Sequence, residues 1–316
     1  MKRRDFVRAT MGVPLIPALG NHLLVDYFEE DLESIFPSED KYNLHFMALG
    51  DWGRNGEFLQ KEVAETMGKW ASHNRTNFVI STGDNFYPKG VISEQDPLWH
   101  YSFENVYTAH ALQCDWYPVL GNHDYGADPD AQVRYSSVSR RWKMPARYYS
   151  KEVSLGRDLG KVLFVMLDTN PMIDASRLDE TEKQLKWLKE VLQTSSDFKW
   201  KIVTGHHPAY TVGPRIEHRQ VYEMRAKLTD IFRQYKVDVY LSGHEHSLQH
   251  LTPEGFTHQF ISGAGSQLTP VQSGVSYSQF EASVNGFMYV SLNESKLNMK
   301  VIDHKGDMLY QTDIVK

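Results

Sequence analysis

Cysteine is nearly absent from this chain of 316 residues, which contains only Cys114. A single cysteine excludes a disulfide within the chain and a zinc site built from several thiolates. Basic residues are not in excess either. The net charge is −6, so no nucleic-acid partner and no general attraction to anionic membranes is expected. Long apolar runs are also missing, and none approaches the roughly 20 residues of a membrane-spanning helix. The chain does have 14 histidines, several of them in short motifs late in the sequence.

The first residues do not resemble part of a folded domain. A basic start with Arg3-Arg4 precedes a short apolar stretch with small residues, which is typical of an export signal. The arginine pair favours the twin-arginine route, which carries folded proteins. We therefore predict an export signal over 1–25, an acidic linker over 26–41 and one domain over 42–316. The expected location is periplasmic or secreted, with the twin-arginine export machinery as a partner and no membrane insertion after removal of the signal. A basic surface tail is the alternative.

The domain itself alternates two kinds of pattern. From Asn43 onwards, apolar runs of strand length alternate with segments whose apolar residues recur at helical spacing. The segment from Gly286 to the end has the pattern of antiparallel hairpins. Residues 124–150 are aromatic and basic without a clear period and are predicted to form a long loop. The alternation predicts a layered α/β structure with a mixed sheet or two packed sheets. Ligands in such folds collect beyond the carboxyl ends of the strands.

Five apolar segments end in a glycine that is followed by a potential metal ligand. Glycine lets the backbone turn sharply and approach a ligand closely. One such end is an ordinary turn, but five ends, each behind an apolar strand, indicate a common site. The five ends are Gly50-Asp51, Gly83-Asp84, Gly121-Asn122-His123-Asp124, Gly205-His206-His207 and Gly243-His244-Glu245-His246.

The clearest signal lies in Val79–Tyr87, with the sequence VISTGDNFY. A carboxylate at the end of a buried strand is costly unless a cation or hydrogen-bond donors meet it. We therefore predict that Asp84 bridges two metal ions and that Tyr87 binds one of them. Asp and Asn oxygens with His nitrogens suit iron, zinc and manganese. Two ions about 3.5–4 Å apart that share a carboxylate are the usual arrangement for phosphoester hydrolysis.

Further segments accompany these ends between about Asn43 and Ser266: GDWG, GDNFY, FENVY, WYPVLGNHD, QVRYSSVSRRWKMPARYY, FVMLDTN, GHHP, GHEHSLQ and SGAG. Together they resemble the purple acid phosphatases, within the calcineurin-like metallophosphoesterases, and above all the small tartrate-resistant type. Calcineurin-like motifs are common to many phosphoesterases, and Tyr87, three residues after Asp84, is the more specific mark. The resemblance implies a single-domain, layered α/β/β/α metallophosphoesterase sandwich with two mixed sheets.

The resemblance also implies how the metals are held. In this family the tyrosinate binds iron(III), and its charge-transfer band makes the protein purple. A phenolate is a good ligand for a hard trivalent ion, so iron(III) is expected at the Tyr87 site. The second ion stays open among iron(II), zinc and manganese. One site is expected to hold Asp51, Asp84, Tyr87 and His246, and the other Asp84, Asn122, His206 and His244.

Other residues are expected to act on the substrate. The histidine at the position of His123 faces the phosphate in the family, beside the ligand Asn122, and stabilises the transition state or protonates the leaving group. We predict that Asp124 orients His123. His218 falls where the family has a second catalytic histidine, provided that about three extra residues are allowed before it. An exposed loop histidine is the alternative for His218.

His207 stands where the small tartrate-resistant type has tyrosine. It either touches the substrate or supports its neighbour His206, and the sequence favours neither alternative. Asn122, His123 and His207 are thus the predicted substrate-binding residues.

These inferences predict a binuclear metal-dependent acid phosphatase that hydrolyses small phosphate monoesters through a metal-bound hydroxide. Two metals bind phosphate oxygens, lower the pKa of a bound water and offset developing charge. One alternative is a phosphodiesterase or nucleotide pyrophosphatase on the same metal site. Another is a metal- or phosphate-binding surface protein without turnover.

Overall fold

The computed structural model describes residues 41–194 and 197–316. The predicted export signal over 1–25 and the predicted linker over 26–41 lie outside these residues, apart from Lys41. Residues Tyr42–Lys316 form one compact unit. Within the described part of the chain, no helix is both long enough and apolar enough to cross a membrane.

Strands and helices alternate through most of the domain before the closing hairpins. The strands are β1 (Leu44–Leu49), β2 (Phe78–Ser81), β3 (Asp115–Pro118), β4 (Tyr149–Ser154), β5 (Lys161–Met166), β6 (Phe198–Thr204), β7 (Val239–Ser242), β8 (Leu248–Leu251), β9 (His258–Ser262), β10 (Ser278–Ala282), β11 (Gly286–Leu292), β12 (Lys296–Asp303) and β13 (Met308–Val315). The α-helices are α1 (Gln60–His73), α2 (Pro129–Tyr135), α3 (Asn170–Ile173), α4 (Leu178–Gln193) and α5 (Arg219–Tyr235).

Both sheets are mixed. The first has the order β13-β12-β11-β1-β2-β3, and β1, β2 and β3 run parallel while the hairpin strands pair antiparallel. The second has the order β10-β8-β9-β7-β6-β5-β4, with a parallel centre formed by β5, β6, β7 and β9. The hairpins predicted from Gly286 onwards are therefore confirmed.

The two sheets pack face to face through apolar side chains. The rings of Phe46 on β1 and Phe78 on β2 lie 5.4 and 5.3 Å from the ring of Phe164 on β5. The neighbouring residues on β5, Leu163 and Val165, point to the other face and pack with α4 and α5. Parallel strands that are covered on both faces have continuous apolar sequences, as β5 does. The predicted α/β/β/α sandwich with two mixed sheets is confirmed.

The prediction of a loop throughout 124–150 is wrong in two places. Helix α2 begins at Pro129, where the side chain of Asp128 accepts a hydrogen bond from the backbone N–H of Asp130 and proline occupies the first turn. Strand β4 begins at Tyr149. The aromatic residues that hid a period belong to the core, since Trp142 packs edge-on against Trp52 and Trp99.

Candidate metal centre

Five parallel strands bring the predicted ligands together. The ligand-bearing turns directly follow β1, β2 and β3 of the first sheet and β6 and β7 of the second. Two sets of side chains could hold a metal ion, each with ligand atoms within 4.8 Å of one another: Asp51, Asp84 and His246 in one set, and His206, His207 and His244 in the other. We call the first set together with Tyr87 the tyrosine group, and the second together with Asn122 the histidine group.

In the tyrosine group, the phenol of Tyr87 stands among three acceptors. Its oxygen lies 3.1 Å from Oδ2 of Asp84, 3.1 Å from Nε2 of His246 and 3.3 Å from Oδ1 of Asp51. One phenol proton cannot serve two carboxylates and an imidazole at once, whereas a cation among them satisfies all four groups. Burial first, and then the charges of Asp84 and Asp51, raise the pKa of Tyr87 well above its ordinary value. The donor set therefore fits a metal ion, whose charge would favour the phenolate.

In the histidine group, the lone pair of His206 faces other acceptors. Nδ1 of His206 lies 2.9 Å from the carbonyl oxygen of Thr82, so in the neutral ring Nδ1 carries the hydrogen and Nε2 carries the lone pair. Nε2 lies 3.2 Å from Oδ1 of Asn122 and 3.1 Å from Nδ1 of His244. Although burial opposes it, the charge of Asp84 raises the pKa of His206 to about 9. The position thus attracts positive charge, as a proton or as a metal ion.

Gln220 sets the orientation of His244. Nε2 of His244 lies 3.2 Å from Oε1 of Gln220, an acceptor, so Nε2 donates and Nδ1 turns its lone pair toward the site. Gln220 lies in the first turn of α5 and nothing in its sequence context marks it. This residue was missed by the sequence analysis.

Asp84 lies between the two groups. Its Oδ2 is 3.1 Å from the phenol oxygen of Tyr87 and 3.4 Å from Nε2 of His206, and its Oδ1 accepts the backbone N–H of His123 at 2.8 Å. A carboxylate that binds two metal ions at once must lie between their two sets of ligands, as Asp84 does. A side chain on Gly121 would not fit, because a Cβ atom there would lie 2.1 Å from Oδ1 of Asp84.

Three predicted ligands have a left-handed backbone. The φ angles of Asp51, Asp84 and His244 are 59°, 49° and 68°. This conformation costs roughly 1–2 kcal/mol at a residue other than glycine. Each of the three directly follows the glycine that ends its strand segment. The glycine and the ligand together turn the chain, and the ligand side chain points into the site. Strain that is concentrated at such positions is typical of functional sites.

His123 is placed beside the tyrosine group but is not held by Asp124. Its ring lies 4.4 Å from the ring of Tyr87, and its Nδ1 lies 2.7 Å from the carbonyl oxygen of Pro88, which fixes the ring. The prediction that Asp124 orients His123 is wrong. The buried carboxylate of Asp124 instead joins the turns after β2 and β3 by accepting hydrogen bonds from the backbone N–H groups of Gly121, Asn85 and Phe86 and from the side chain of Gln132.

His207 and His218 occupy different surroundings. His207 is fully buried, with Nδ1 2.8 Å from the hydroxyl of Thr169 and its ring 4.5 Å from that of His244. This position favours the supporting role over contact with substrate, which stays a prediction. His218 is exposed and caps the N-terminus of α5, where its Nδ1 accepts a hydrogen bond from the backbone N–H of Gln220. Its catalytic role also stays a prediction.

Known proteins with similar sequences place the chain in a family. The model of the calcineurin-like phosphoesterase family matches residues 44–248. Purple acid phosphatase 17 of Arabidopsis thaliana is 34% identical over 98% of this chain and 95% of its own length. Tartrate-resistant acid phosphatase type 5 of Oryctolagus cuniculus is 32% identical over 86% of this chain and 91% of its own.

A solved structure agrees in fold. GAP50, described as the anchor in the inner membrane complex of Plasmodium, superposes with a TM-score of 0.78 over 86% of this chain and 89% of its own, at 24% identity. The family resemblance recognised in the motifs is thus confirmed by overall similarity. The chain belongs to the purple acid phosphatases of the calcineurin-like phosphoesterase family.

Proposed function

We propose that this protein is a binuclear metal-dependent acid phosphatase acting on small phosphate monoesters. The observation that carries the proposal is the position of Asp84, whose carboxylate contacts both the tyrosine group and the histidine group. The purple acid phosphatase family of the chain supports the same conclusion. In a structural cluster, buried acceptor atoms are paired with hydrogen-bond donors, whereas several acceptors here face one another. A carboxylate between two ligand groups is the arrangement that two metal ions require.

We assign iron(III) to the tyrosine group. Its ligands are two carboxylates, a phenol and one imidazole, so most of the ligand atoms are oxygens. Hard oxygen ligands suit a trivalent ion. The histidine group offers imidazole nitrogens and the amide oxygen of Asn122, which suit a borderline divalent ion. Iron(II), zinc and manganese are all compatible with this second set. When bound, the metal pair supplies positive charge for phosphate oxygens and acidifies water.

The side chains around the two groups can bind the substrate and move a proton. Asn122 turns Oδ1 toward His206, so its amide N–H₂ remains a donor for a phosphate oxygen. Nδ1 of His123 donates to the carbonyl oxygen of Pro88, so the ring can give a leaving oxygen a proton from Nε2 only as the imidazolium. Both residues are partly exposed, whereas Asp84, His206 and His244 are buried. His218 begins a helix that also carries Gln220, and we assign it a second role at the leaving group.

We also infer that the protein is exported to the periplasm or secreted through the twin-arginine machinery. The support is the Arg3-Arg4 pair before a short apolar stretch. Replacement of both arginines by lysine should retain the full-length chain in the cytoplasm, as cell fractionation would reveal. Unchanged export of that variant would rule out the twin-arginine route.

Paired substrates test the proposed reaction. We expect kcat/KM to be much higher for an aryl phosphate monoester than for the corresponding bis-aryl diester, with a rate maximum at acid pH. A preference for the diester would favour the phosphodiesterase alternative. No turnover of either ester by protein that contains both metals would favour a binding protein. A rate maximum only above about pH 8 would count against iron(III), which makes bound water unusually acidic.

A further inference from the structure

A guanidinium group covers the ring of the predicted iron ligand. Cζ of Arg54 lies 3.6 Å from the centroid of the Tyr87 ring and 5.5 Å from that of Phe58. Cation–π contacts extend to about 6 Å, so the contact with Tyr87 is a close one. The guanidinium therefore contacts a ring whose hydroxyl points into the metal centre and lies near a second ring that is 54% exposed at the surface.

The local chain is built to hold Arg54 in this position. Oε1 of the buried Gln60 accepts the backbone N–H of Arg54 at 2.9 Å, which ties the turn back to the start of α1. Asn55, Phe58 and Leu59 all have φ angles between 53° and 64°, a conformation that is unfavourable for residues other than glycine. Such strain persists only where the surrounding structure imposes it. The turn accepts this cost while placing Phe58 over the guanidinium.

Within residues 41–194 and 197–316, no carboxylate neutralises the charge of Arg54. Among the residues that the structure describes, Arg54 forms no ion pair, and its buried Nε has no hydrogen-bond partner. A partly buried cation without a counter-charge is unfavourable. A neutral phenol offers only its ring face, whereas a phenolate adds a negative charge that is shared between the oxygen and the ring. The arrangement therefore suits Tyr87 as an anionic ligand.

We propose that Arg54 is a positioning residue that tunes the metal centre by stabilising the negative charge of Tyr87 and so weakening electron donation from the phenolate to iron. The proposal rests on the assignment of iron(III) to the tyrosine group. A cation over the ring lowers the energy of the ring electrons, which are the electrons that a charge-transfer transition moves to the metal. The same charge favours the extra electron of iron(II), so Arg54 should make the iron easier to reduce.

Substitution of Arg54 by glutamine tests this inference through absorption and reduction. We expect Arg54→Gln to move the charge-transfer maximum to longer wavelength. At a fixed ambient potential, we expect the ratio of iron(III) to iron(II) at this site to rise about 2- to 30-fold. This range is the free energy of a cation–π contact converted to an equilibrium ratio. Arg54→Lys keeps the charge without the flat stacked group and should shift both quantities less.

Arg225→Gln is the matched control. Arg225 stacks on Tyr210 at 3.9 Å, a tyrosine outside both ligand groups, so its loss should leave the charge-transfer maximum unchanged. An unshifted maximum and an unchanged ratio in Arg54→Gln, at wild-type iron content, would overturn the proposal. A change in KM alone would also overturn it and would make Arg54 a substrate contact. If the wild-type protein hydrolyses monoesters without iron or colour, the iron assignment fails and this inference fails with it, while the phosphatase proposal stands.

Discussion

Replacing Asp124 with asparagine should loosen the two turns that carry most of the metal centre. The carboxylate is fully buried and joins the turn after β2 to the turn after β3. Asparagine keeps one acceptor oxygen and replaces the other by an N–H₂ group, which would face N–H donors. The groups that donate to Asp124 are the backbone of Gly121 at 2.8 Å, of Asn85 at 3.1 Å and of Phe86 at 3.1 Å, Nε2 of Gln132 at 2.7 Å and Nδ2 of Asn85 at 3.3 Å.

The size of the effect follows from two opposing contributions. Hydrogen bonds to a charged group contribute about 1.5–3 kcal/mol each, and disrupting a buried charged network costs about 3–5 kcal/mol. Burial first, and then the charge of Asp84, raise the pKa of Asp124 to about 7, so the carboxylate itself is unfavourable there. Removing the charge of Asp124 therefore restores part of the unfolding free energy that the broken hydrogen bonds cost. We therefore expect the lower end, about 3 kcal/mol of unfolding free energy, out of the roughly 5–15 kcal/mol of a typical domain.

Urea unfolding of chelator-treated protein, followed by circular dichroism, measures this loss apart from metal binding. With a slope near 3 kcal/mol per molar urea, the midpoint should fall by about 1 M. Metal content should fall as well, because the turns aim Asp84 and Asn122. Asp303→Asn is the control, since Asp303 is buried and accepts the backbone N–H groups of Lys305 and Asp307 in the turn between β12 and β13. It should lower stability without loss of metal. An Asp124→Asn protein with an unchanged midpoint and full metal content would refute the reasoning.

Three further changes test other parts of the structure. Gly121→Ala should strongly reduce metal content, because the new Cβ atom would lie 2.1 Å from Oδ1 of Asp84. Gln220→Leu should weaken the metal affinity of the histidine group by about 10- to 100-fold, because His244 loses the acceptor that fixes its ring. Burial first, and then His258, lower the pKa of His250 to about 3. Stability is therefore lost as pH falls below about 6.5, the ordinary pKa of histidine in the unfolded chain. Between pH 7 and pH 5 the wild type should lose about 2 kcal/mol of unfolding free energy that His250→Gln does not lose.

Each of these has an opposing outcome. Wild-type metal content in the alanine variant would mean that the turn after β3 can move away from Asp84 at little cost. A leucine variant with unaltered affinity in metal titrations would mean that Gln220 does not hold His244. Parallel loss of urea midpoint between pH 7 and pH 5 in wild type and His250→Gln would mean that His250 does not titrate against the fold.

The sequence predicted that the ligand side chains lie close together because a single repeated signal marked them. Each glycine-plus-ligand end follows a parallel strand, and the fold collects such ends. Close packing of these ends explains why glycine precedes the ligands, since a Cβ atom on Gly243 would lie 2.5 Å from Oδ2 of Asp51. The layered architecture was predictable for a related reason, because apolar runs such as β5 require cover on both faces.

Residues that act through tertiary contacts could not be predicted in this way. Gln220, Arg54 and Thr169 approach the ligands from turns and helix starts that carry no periodic pattern. The role of Asp124 was misjudged because adjacency in sequence to His123 suggested contact, whereas its side chain points away into the joint between two turns. The prediction of a loop over 124–150 failed because core aromatics masked the helical period.

Metal analysis of Asp84→Asn tests the central claim most directly. Asparagine retains the size of the aspartate but lacks its negative charge, which Oδ2 presents to both groups. We predict two metal ions per chain in the wild-type protein, one of them iron, and fewer than one in Asp84→Asn, with loss of monoester hydrolysis. The Asp303→Asn control should retain two. Two metal ions and full activity in Asp84→Asn would contradict the account of a centre built around Asp84.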